Sequence, residues 1–335
     1  MRGLFYLAAL ALAAATAAPA APPKPLFASD QPIRITIQGP ISTLASKRAP
    51  TPVPATLVAD GVTYPITLAP RGITRLLKDT CQFPPLRVEF TRPPPAGSLF
   101  QGQHRLKLVT HCKNGVDFQQ KVLLEYSAYR IYNLLTQQSF RARLANVDYV
   151  DVDGKPFISR IGFFLEDFDD VAKRNGMRVA HMGPRVPLEQ IDATSGGRFA
   201  VFEYLISNYD WSMRAGPEGD ECCHNGRLMS LTGGGILTPV PYDFDFSGLV
   251  DAPYAGVPEG IPVATIKERN YRGYCAHMVQ ARAAAAGIAA RRGEVLGVFQ
   301  AIPGLSPGTS QRAAAFIAKG IGDIDSGKIF KNCSG

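Results

Sequence analysis

The chain has 335 residues, of which 46% are hydrophobic and 19% charged, and its formal net charge at pH 7 is +8. This composition is typical of a packed globular protein and excludes a disordered one. The length suffices for one large domain of two lobes or for two ordinary domains. A basic surface suits polyanionic partners such as nucleotides, but no run of lysine and arginine is dense enough to indicate nucleic acid.

The first 18 residues have the features of a signal peptide. Met1 and Arg2 precede the apolar run LFYLAALALAA, and small residues follow up to Ala18. No later segment approaches about 18 uninterrupted apolar residues. We therefore expect an exported protein, periplasmic or extracellular, with no transmembrane segment once the signal is removed. Residues 19–31, rich in alanine and proline, are expected to form a flexible leader.

Cysteine usage fits an oxidising compartment. The six cysteines are Cys81, Cys112, Cys222, Cys223, Cys275 and Cys333. An even number without a CxxC motif favours disulfides over zinc thiolates. Cys81 with Cys112 is the preferred pair, because both lie in the strand-rich first half. Cys222, Cys223 and His224 in a row leave zinc as an alternative, although adjacent cysteines chelate one ion poorly.

The first half alternates apolar and polar residues in short runs separated by glycine and proline, which predicts antiparallel strands. These runs are 33–38, 55–60, 64–69, 86–90 and 104–112. A helical period over 117–138 predicts the longest helix of this half. Two further strands are expected over 141–151 and 157–168, then a helix over 169–176 that ends at Gly176.

The second half is predicted to be mainly helical. The expected elements are helices over 198–209, 275–291, 294–300 and 309–320, a glycine-rich excursion over 215–236 and a strand over 239–246. The order of elements predicts an α+β fold in two lobes. Residues 32–165 form a β-rich lobe with one central helix, and residues 166–335 form a helical lobe.

The stretch PVPYDFDFSG, residues 239–248, places two carboxylates within an apolar and aromatic run. A buried carboxylate is costly unless a cation meets it, so Asp243 and Asp245 need a metal ion, an arginine or a helix end. Strand alternation predicts both carboxylates on one face. Asp210 follows the predicted helix 198–209, where it can act as a base or metal ligand.

Lys107 lies between apolar neighbours in a predicted strand, where a buried lysine needs an anion. Glu125 on the following helix is the expected partner. A lysine on a strand paired with a glutamate on a helix positions nucleotide phosphates in protein kinases. Asp210, Asn225 and Asp243 then follow in the order in which kinases supply a base and two magnesium ligands.

Several motifs occur together in one order: RGITR (71–75), LKLVTHC (106–112), LEYSAYRIYNLLT (124–136), FFLEDFDD (163–170), SNYDWS (207–212), HN (224–225) and PYDFDFSG (241–248). The set resembles the secreted, atypical kinase-like family of spore-coat protein H, over roughly residues 33–275. The resemblance implies a divergent two-lobed protein-kinase fold. It also implies that ATP and a divalent cation, Mg²⁺ or Mn²⁺, serve to phosphorylate a protein or envelope acceptor that the sequence does not identify.

The resemblance also implies roles for individual residues. Lys107 and Glu125 become the phosphate-positioning pair, Asp210 the catalytic base, and Asn225 and Asp243 the metal ligands. Asp245 is the alternative to Asp243, because no glycine follows Asp243 directly. Asn225 is the less regular match, since 15 positions separate it from Asp210 where the kinase pattern has five.

No GxGxxG loop precedes the strand lysine. The backbone and the arginines of RGITR, Arg71 and Arg75, are therefore expected to cover the phosphates. The resemblance also implies that the segment FFLEDFDD, with Glu166, is the connector against which adenine rests.

Structural alternatives remain open for these residues. Lys107 can face solvent on an edge strand, and Glu125 can pair with Lys121 or Arg130 near its own helix. Asp210 can cap a turn. A salt bridge from Asp243 or Asp245 to a core arginine is a further possibility, with candidates Arg269 and Arg272.

Functional alternatives also remain open. One is a kinase-like fold that has lost catalysis and serves as a binding or assembly module of the cell envelope. Another is glycoside hydrolysis by Asp210 and Asp243, for which Trp211 is the only evident sugar platform.

Overall fold

The computed structural model describes residues 22–333, so the expected signal peptide over residues 1–18 lies outside it. The strands in this range are β1 Ile33–Gln38, β2 Val53–Ala59, β3 Val62–Pro70, β4 Leu86–Phe90, β5 Arg105–Val109, β6 Ala142–Val150, β7 Pro156–Leu165, β8 Arg178–Val179, β9 Gly226–Ser230 and β10 Thr238–Pro241. The α-helices are α1 Ile41–Lys47, α2 Val116–Leu135, α3 Phe168–Arg174, α4 Ala193–Ile206, α5 Met278–Ala290, α6 Arg292–Ala301 and α7 Pro307–Asp325.

The first seven strands close into a mixed barrel in the order β1-β2-β3-β4-β5-β7-β6. Strand β1 pairs antiparallel with β2 and closes the barrel by parallel pairing with β6, with Ile33 opposite Ala145. Its alternation of apolar and polar residues places Ile33, Ile35 and Ile37 in the barrel core. The period of two in the sequence therefore corresponds to an inner and an outer face.

The segment expected to be a flexible leader is partly built into the barrel. Leu26 and Phe27 are buried in the barrel core. The Arg143 guanidinium donates hydrogen bonds to the carbonyls of Leu26, Ser29 and Gln31. Burial of the Leu26 and Phe27 side chains contributes about 1.5–3 kcal/mol each, which offsets the conformational entropy lost by this segment. The leader prediction was therefore wrong for residues 26–31.

Helix α2 lies between the barrel and the helical region, packed on β6, β7 and α6. Its residues Leu123, Ala128 and Ile131 share one core with Val201 and Leu205 of α4. A mixed barrel followed by a largely helical region confirms the predicted α+β class. None of the helices in the described part of the chain is long and apolar enough to cross a membrane.

The region after residue 166 also contains a small sheet that the sequence did not predict. Strands β8, β9 and β10 form it in the order β10-β9-β8, and β9 lies within the segment expected to be a glycine-rich excursion. Helix α4 begins earlier than predicted, because the Asp192 side chain accepts a hydrogen bond from the Ser195 backbone N–H at 2.7 Å and caps the helix. It ends at Ile206, where Ser207 turns into the left-handed conformation.

Candidate functional site

One cavity, here called the first cavity, has a volume of about 570 Å³. It lies between the loop after β3, the segment after α4, and the segments that flank the β9–β10 hairpin. Six of the predicted site residues line it, namely Arg71, Arg75, Asp210, Asn225, Asp243 and Asp245. Tertiary structure therefore brings together residues that lie up to 174 positions apart.

The two carboxylates of PVPYDFDFSG reach the cavity from a loop and not from a strand. Strand β10 ends at Pro241, and Asp243 has a left-handed backbone with φ of 66°. The Asp243 N–H donates to the Tyr129 hydroxyl at 2.9 Å, which helps to hold this turn. The predicted strand over 239–246 is therefore confirmed for residues 239–241 and was wrong for residues 242–246. Both Asp243 and Asp245 nevertheless line the cavity.

Asp210 is held by residues that follow it in the chain. Its Oδ1 lies 2.6 Å from His224 Nε2, and its Oδ2 accepts a hydrogen bond from Asn225 Nδ2 at 2.9 Å. The same amide nitrogen donates to the Asp210 carbonyl at 2.7 Å. Asn225 itself has a positive φ of 47°, a conformation that asparagine tolerates better than most residues. The long gap in sequence thus closes in space.

His224 is a site residue that sequence reasoning did not assign. Its hydrogen bond with Asp210 raises the pKa of the imidazole, and burial opposes this effect. The sequence marked it only by its position next to Asn225 and by the run Cys222, Cys223, His224, which indicated zinc and not a contact with Asp210. A contact across 14 positions has no local pattern that reveals it.

Glu125 is paired with Arg75 and not with Lys107. Arg75 Nη1 lies 3.8 Å from Glu125 Oε2, and Arg75 Nη2 donates to the Thr110 carbonyl at 2.6 Å. The alternative partners are occupied elsewhere, because Lys121 donates to backbone carbonyls and Arg130 pairs with Asp30. The cation that meets Glu125 therefore comes from the loop after β3 and not from strand β5.

Lys107 extends from β5 toward the end of β10. Its Nζ lies 4.6 Å from the centroid of the Tyr242 ring, within the range of a cation–π contact. Burial, then the charges of Arg71 and Arg227, lowers the pKa of Lys107 to about 7. The expected Lys107–Glu125 pair is absent from residues 22–333. Lys107 instead meets an aromatic face and two other cations.

The acids behind the cavity are crowded. Burial, then the nearby Asp245 carboxylate, raises the pKa of Glu125 well above its usual range. Burial, then Asp243, raises the pKa of Asp245 to about 7. Asp245 accepts a hydrogen bond from the Tyr254 hydroxyl at 2.9 Å. Arg75 is the cation that opposes both pKa shifts.

The core arginines considered as alternative partners of these acids bind elsewhere. Arg269 donates to the carbonyls of Leu205 and Phe316. Arg272 donates to the carbonyls of Tyr209 and Trp211. Arg75 is therefore the arginine that offsets the negative charge of Asp245 and Glu125.

Glu166 lines a second cavity, of about 370 Å³, together with Arg71, Lys107 and Arg227. Its carboxylate is already bound on both oxygens. Arg174 donates to Oε1 at 2.9 Å and to Oε2 at 3.0 Å, and the Arg141 N–H donates to Oε2 at 2.9 Å. The Glu166 side chain therefore joins β7 to α3, which does not fit its expected role of binding a cofactor.

The donor set of the first cavity fits a hard divalent cation. Residues 22–333 contain no group of three or more His, Cys, Asp or Glu side chains that could hold a metal ion by themselves. Mg²⁺, however, is commonly held by one or two carboxylates together with water and substrate phosphates. Asp243 and Asp245 supply such carboxylates. Asn225 uses its amide nitrogen on Asp210, so its amide oxygen is the atom it can offer.

All six cysteines form disulfides with one another. Cys81 and Cys112 form the expected disulfide, and Cys275 pairs with Cys333. Cys222 and Cys223 are bonded to each other. The zinc alternative is therefore wrong for these residues, because both sulfurs are used. Three disulfides are consistent with export to an oxidising compartment.

Trp211 does not provide a sugar platform. It is buried, packs against Phe199 with ring centroids 5.1 Å apart, and contacts the Arg272 guanidinium. The glycosidase alternative thus loses the feature that favoured it.

Comparison with known proteins identifies no family for this chain. No family model matches it, and no curated protein matches it.

Proposed function

We propose that this protein is an exported phosphotransferase that uses ATP and Mg²⁺ or Mn²⁺, with a divergent two-lobed architecture like that of protein kinases. The observation that carries the proposal is the composition of the first cavity. Oxygen donors from Asp210, Asn225, Asp243 and Asp245 line it, and Arg71 lines both it and the second cavity. Phosphoryl transfer relies mainly on such positioning and charge neutralisation.

In this proposal Asp210 accepts the proton of the acceptor hydroxyl. The contacts from His224 and Asn225 fix the orientation of its carboxylate. Asp243 and Asp245 hold the cation together with the amide oxygen of Asn225. When bound, the cation neutralises charge on the donor phosphates.

Two further groups support the proposed donor site. Lys107 and Arg71 line the second cavity and offer positive charge to phosphates. Arg75, which lines the first cavity, forms a buried pair with Glu125 and opposes the crowding of negative charge at Glu125 and Asp245. The acceptor is an unidentified protein or envelope component on the exported side of the membrane.

The test is phosphate transfer from labelled ATP with Mg²⁺ or Mn²⁺, using the oxidised mature protein. Asp210→Asn and Asp243→Asn should each abolish autophosphorylation and transfer to an envelope extract. Asp153→Asn is the matched control, because this acid pairs with Lys155 on the surface. Equal transfer by Asp210→Asn and by the wild type would overturn the proposed roles. Near-ultraviolet circular dichroism shows whether each variant is folded.

A second function, an inactive envelope-binding module, is favoured by the contacts of Asp210. Both of its carboxylate oxygens are already hydrogen-bonded, and no glycine-rich loop precedes Lys107. Such a module binds nucleotide without transfer. Thermal unfolding tests whether the cavity binds nucleotide at all, since a ligand at 100-fold excess over Kd adds about 2.7 kcal/mol of stability whether or not transfer occurs. Phosphate transfer then separates an active enzyme from a module that only binds.

A further inference from the structure

Tyr242 directly follows β10, and two cationic side chains lie close to its ring. Lys107 Nζ is 4.6 Å from its ring centroid, and the Arg227 guanidinium carbon is 5.3 Å from the same centroid. Arg227 also forms a side-chain hydrogen bond with Tyr242. The aromatic ring therefore holds two cationic side chains from different parts of the chain in one place.

These cations lie where the two cavities meet. Arg71 and Arg227 line both cavities, and Lys107 lines the second. Tyr242 lines the first cavity beside Asp243. A ligand that extends from the metal-binding acids into the second cavity must therefore pass Arg227 and Arg71.

Carboxylates do not neutralise these three cations at close range. Among residues 22–333 none of Arg71, Lys107 and Arg227 makes an ion pair within 4.0 Å. Asp243 and Asp167 act on Lys107 only as weaker, opposing charges, after burial and the two arginines. Mutually repelling cations around one hollow are stabilised by a bound polyanion.

The other arginines of the second cavity differ in this respect. Arg87 pairs with Glu89 at 3.0 Å, and Arg105 lies 3.6 Å from Asp167. Their charges are compensated within the protein. The uncompensated charge of the second cavity is therefore concentrated at its junction with the first.

We propose that Arg227, together with Arg71 and Lys107, binds the oligophosphate chain of the phosphoryl donor at this junction. The identity of the donor in this inference rests on the proposed function. The binding of oligophosphate at the junction does not depend on it. The cationic side chains take the part that backbone N–H groups of a glycine-rich loop play in protein kinases. An arginine suits this role, because its planar guanidinium can bind two phosphate oxygens at once.

The probes are inorganic tripolyphosphate and ATP, titrated calorimetrically with Mg²⁺ at fixed ionic strength. Arg227→Gln should weaken the binding of both by about 10-fold to 100-fold, the usual effect of losing a hydrogen bond to a charged group. Arg227→Lys should recover only part of this affinity. Arg178→Gln is the matched control, an exposed arginine on the neighbouring strand β8, and should bind both probes as the wild type does.

The outcomes separate this inference from the proposed function. If Arg227→Gln binds tripolyphosphate as tightly as the wild type, the inference is wrong, whatever the transfer assay shows. Another outcome is that the wild type binds tripolyphosphate but not ATP, and that this binding is lost in Arg227→Gln. That result would support the inference and overturn ATP as the donor, so that inorganic polyphosphate would replace it. Wild-type binding of neither probe would overturn both.

Discussion

The contribution of the buried Arg75–Glu125 pair to the free energy of unfolding can be tested quantitatively. The two charged groups lie 3.8 Å apart, and their side chains are only 9% and 3% exposed. Arg75→Met leaves Glu125 beside Asp245 without its cation. Removing one partner of a buried ion pair typically costs about 3–5 kcal/mol. We expect the free energy of unfolding to fall by about that amount at mildly alkaline pH.

The loss should depend on pH, because the remaining acids can take up protons. Burial, then Asp245, already raises the pKa of Glu125, and Arg75 opposes the rise. Without Arg75 the pKa values of Glu125 and Asp245 rise further. The folded state then binds protons that the unfolded chain has released, so stability falls as pH increases. Arg75→Met should be less destabilising near pH 5 than near pH 8.

The assay is urea unfolding followed by the fluorescence of Trp211, the single tryptophan of the chain. Arg34→Met is the matched control, because Arg34 also lies 3.8 Å from its partner Asp148, but with side chains 80% and 39% exposed. Breaking such a surface pair costs at most about 1 kcal/mol. Equal losses in Arg75→Met and Arg34→Met would refute the reasoning, as would a loss independent of pH.

A double variant isolates the pair from its surroundings. Arg75→Met combined with Glu125→Met removes both charges and fills similar volume. Replacing a whole buried pair by apolar residues is often close to neutral. We expect the double variant to recover most of the stability that Arg75→Met loses, and additive losses would contradict this expectation.

Two further predictions concern groups with shifted pKa values. The pKa of Lys107 is lowered to about 7, so bound tripolyphosphate should cause Lys107 to take up a proton near pH 8. Calorimetry in buffers of different ionisation enthalpy measures this uptake. We expect it in the wild type and not in Lys107→Arg. Burial raises the pKa of Glu203 well above its usual range, so the wild type should lose stability as pH rises above about 4.5 toward that raised pKa. Glu203→Gln should reduce this slope in urea unfolding, and an unchanged slope would argue against a protonated Glu203.

Local patterns in the sequence account for the elements of the fold. A period of two predicted the barrel strands, and a helical period predicted α2, because burial on one face imposes these periods. The predictions failed where a few local contacts decide a boundary. The side chain of Asp192 starts α4 before the predicted residue, and the turn at Asp243 ends the strand PVPYDFDF early.

The chemistry of the site was also largely present in the sequence. Carboxylates among aromatic residues, as at Asp243 and Asp245, are unusual enough to mark a site without a structure, and Asp210 was a candidate because it follows the predicted helix 198–209. All three line one cavity. Residue type and local context determine which groups are costly to bury, so these candidates did not depend on knowing their neighbours.

Only the tertiary structure decided which groups meet. Glu125 faces Arg75 and not Lys107, Asp210 meets His224, and Arg227 shares the ring of Tyr242 with Lys107. Each contact joins segments whose separation in the chain carries no periodic signal. The sequence by itself determined which side chains need partners, and the packing of distant segments chose the partners.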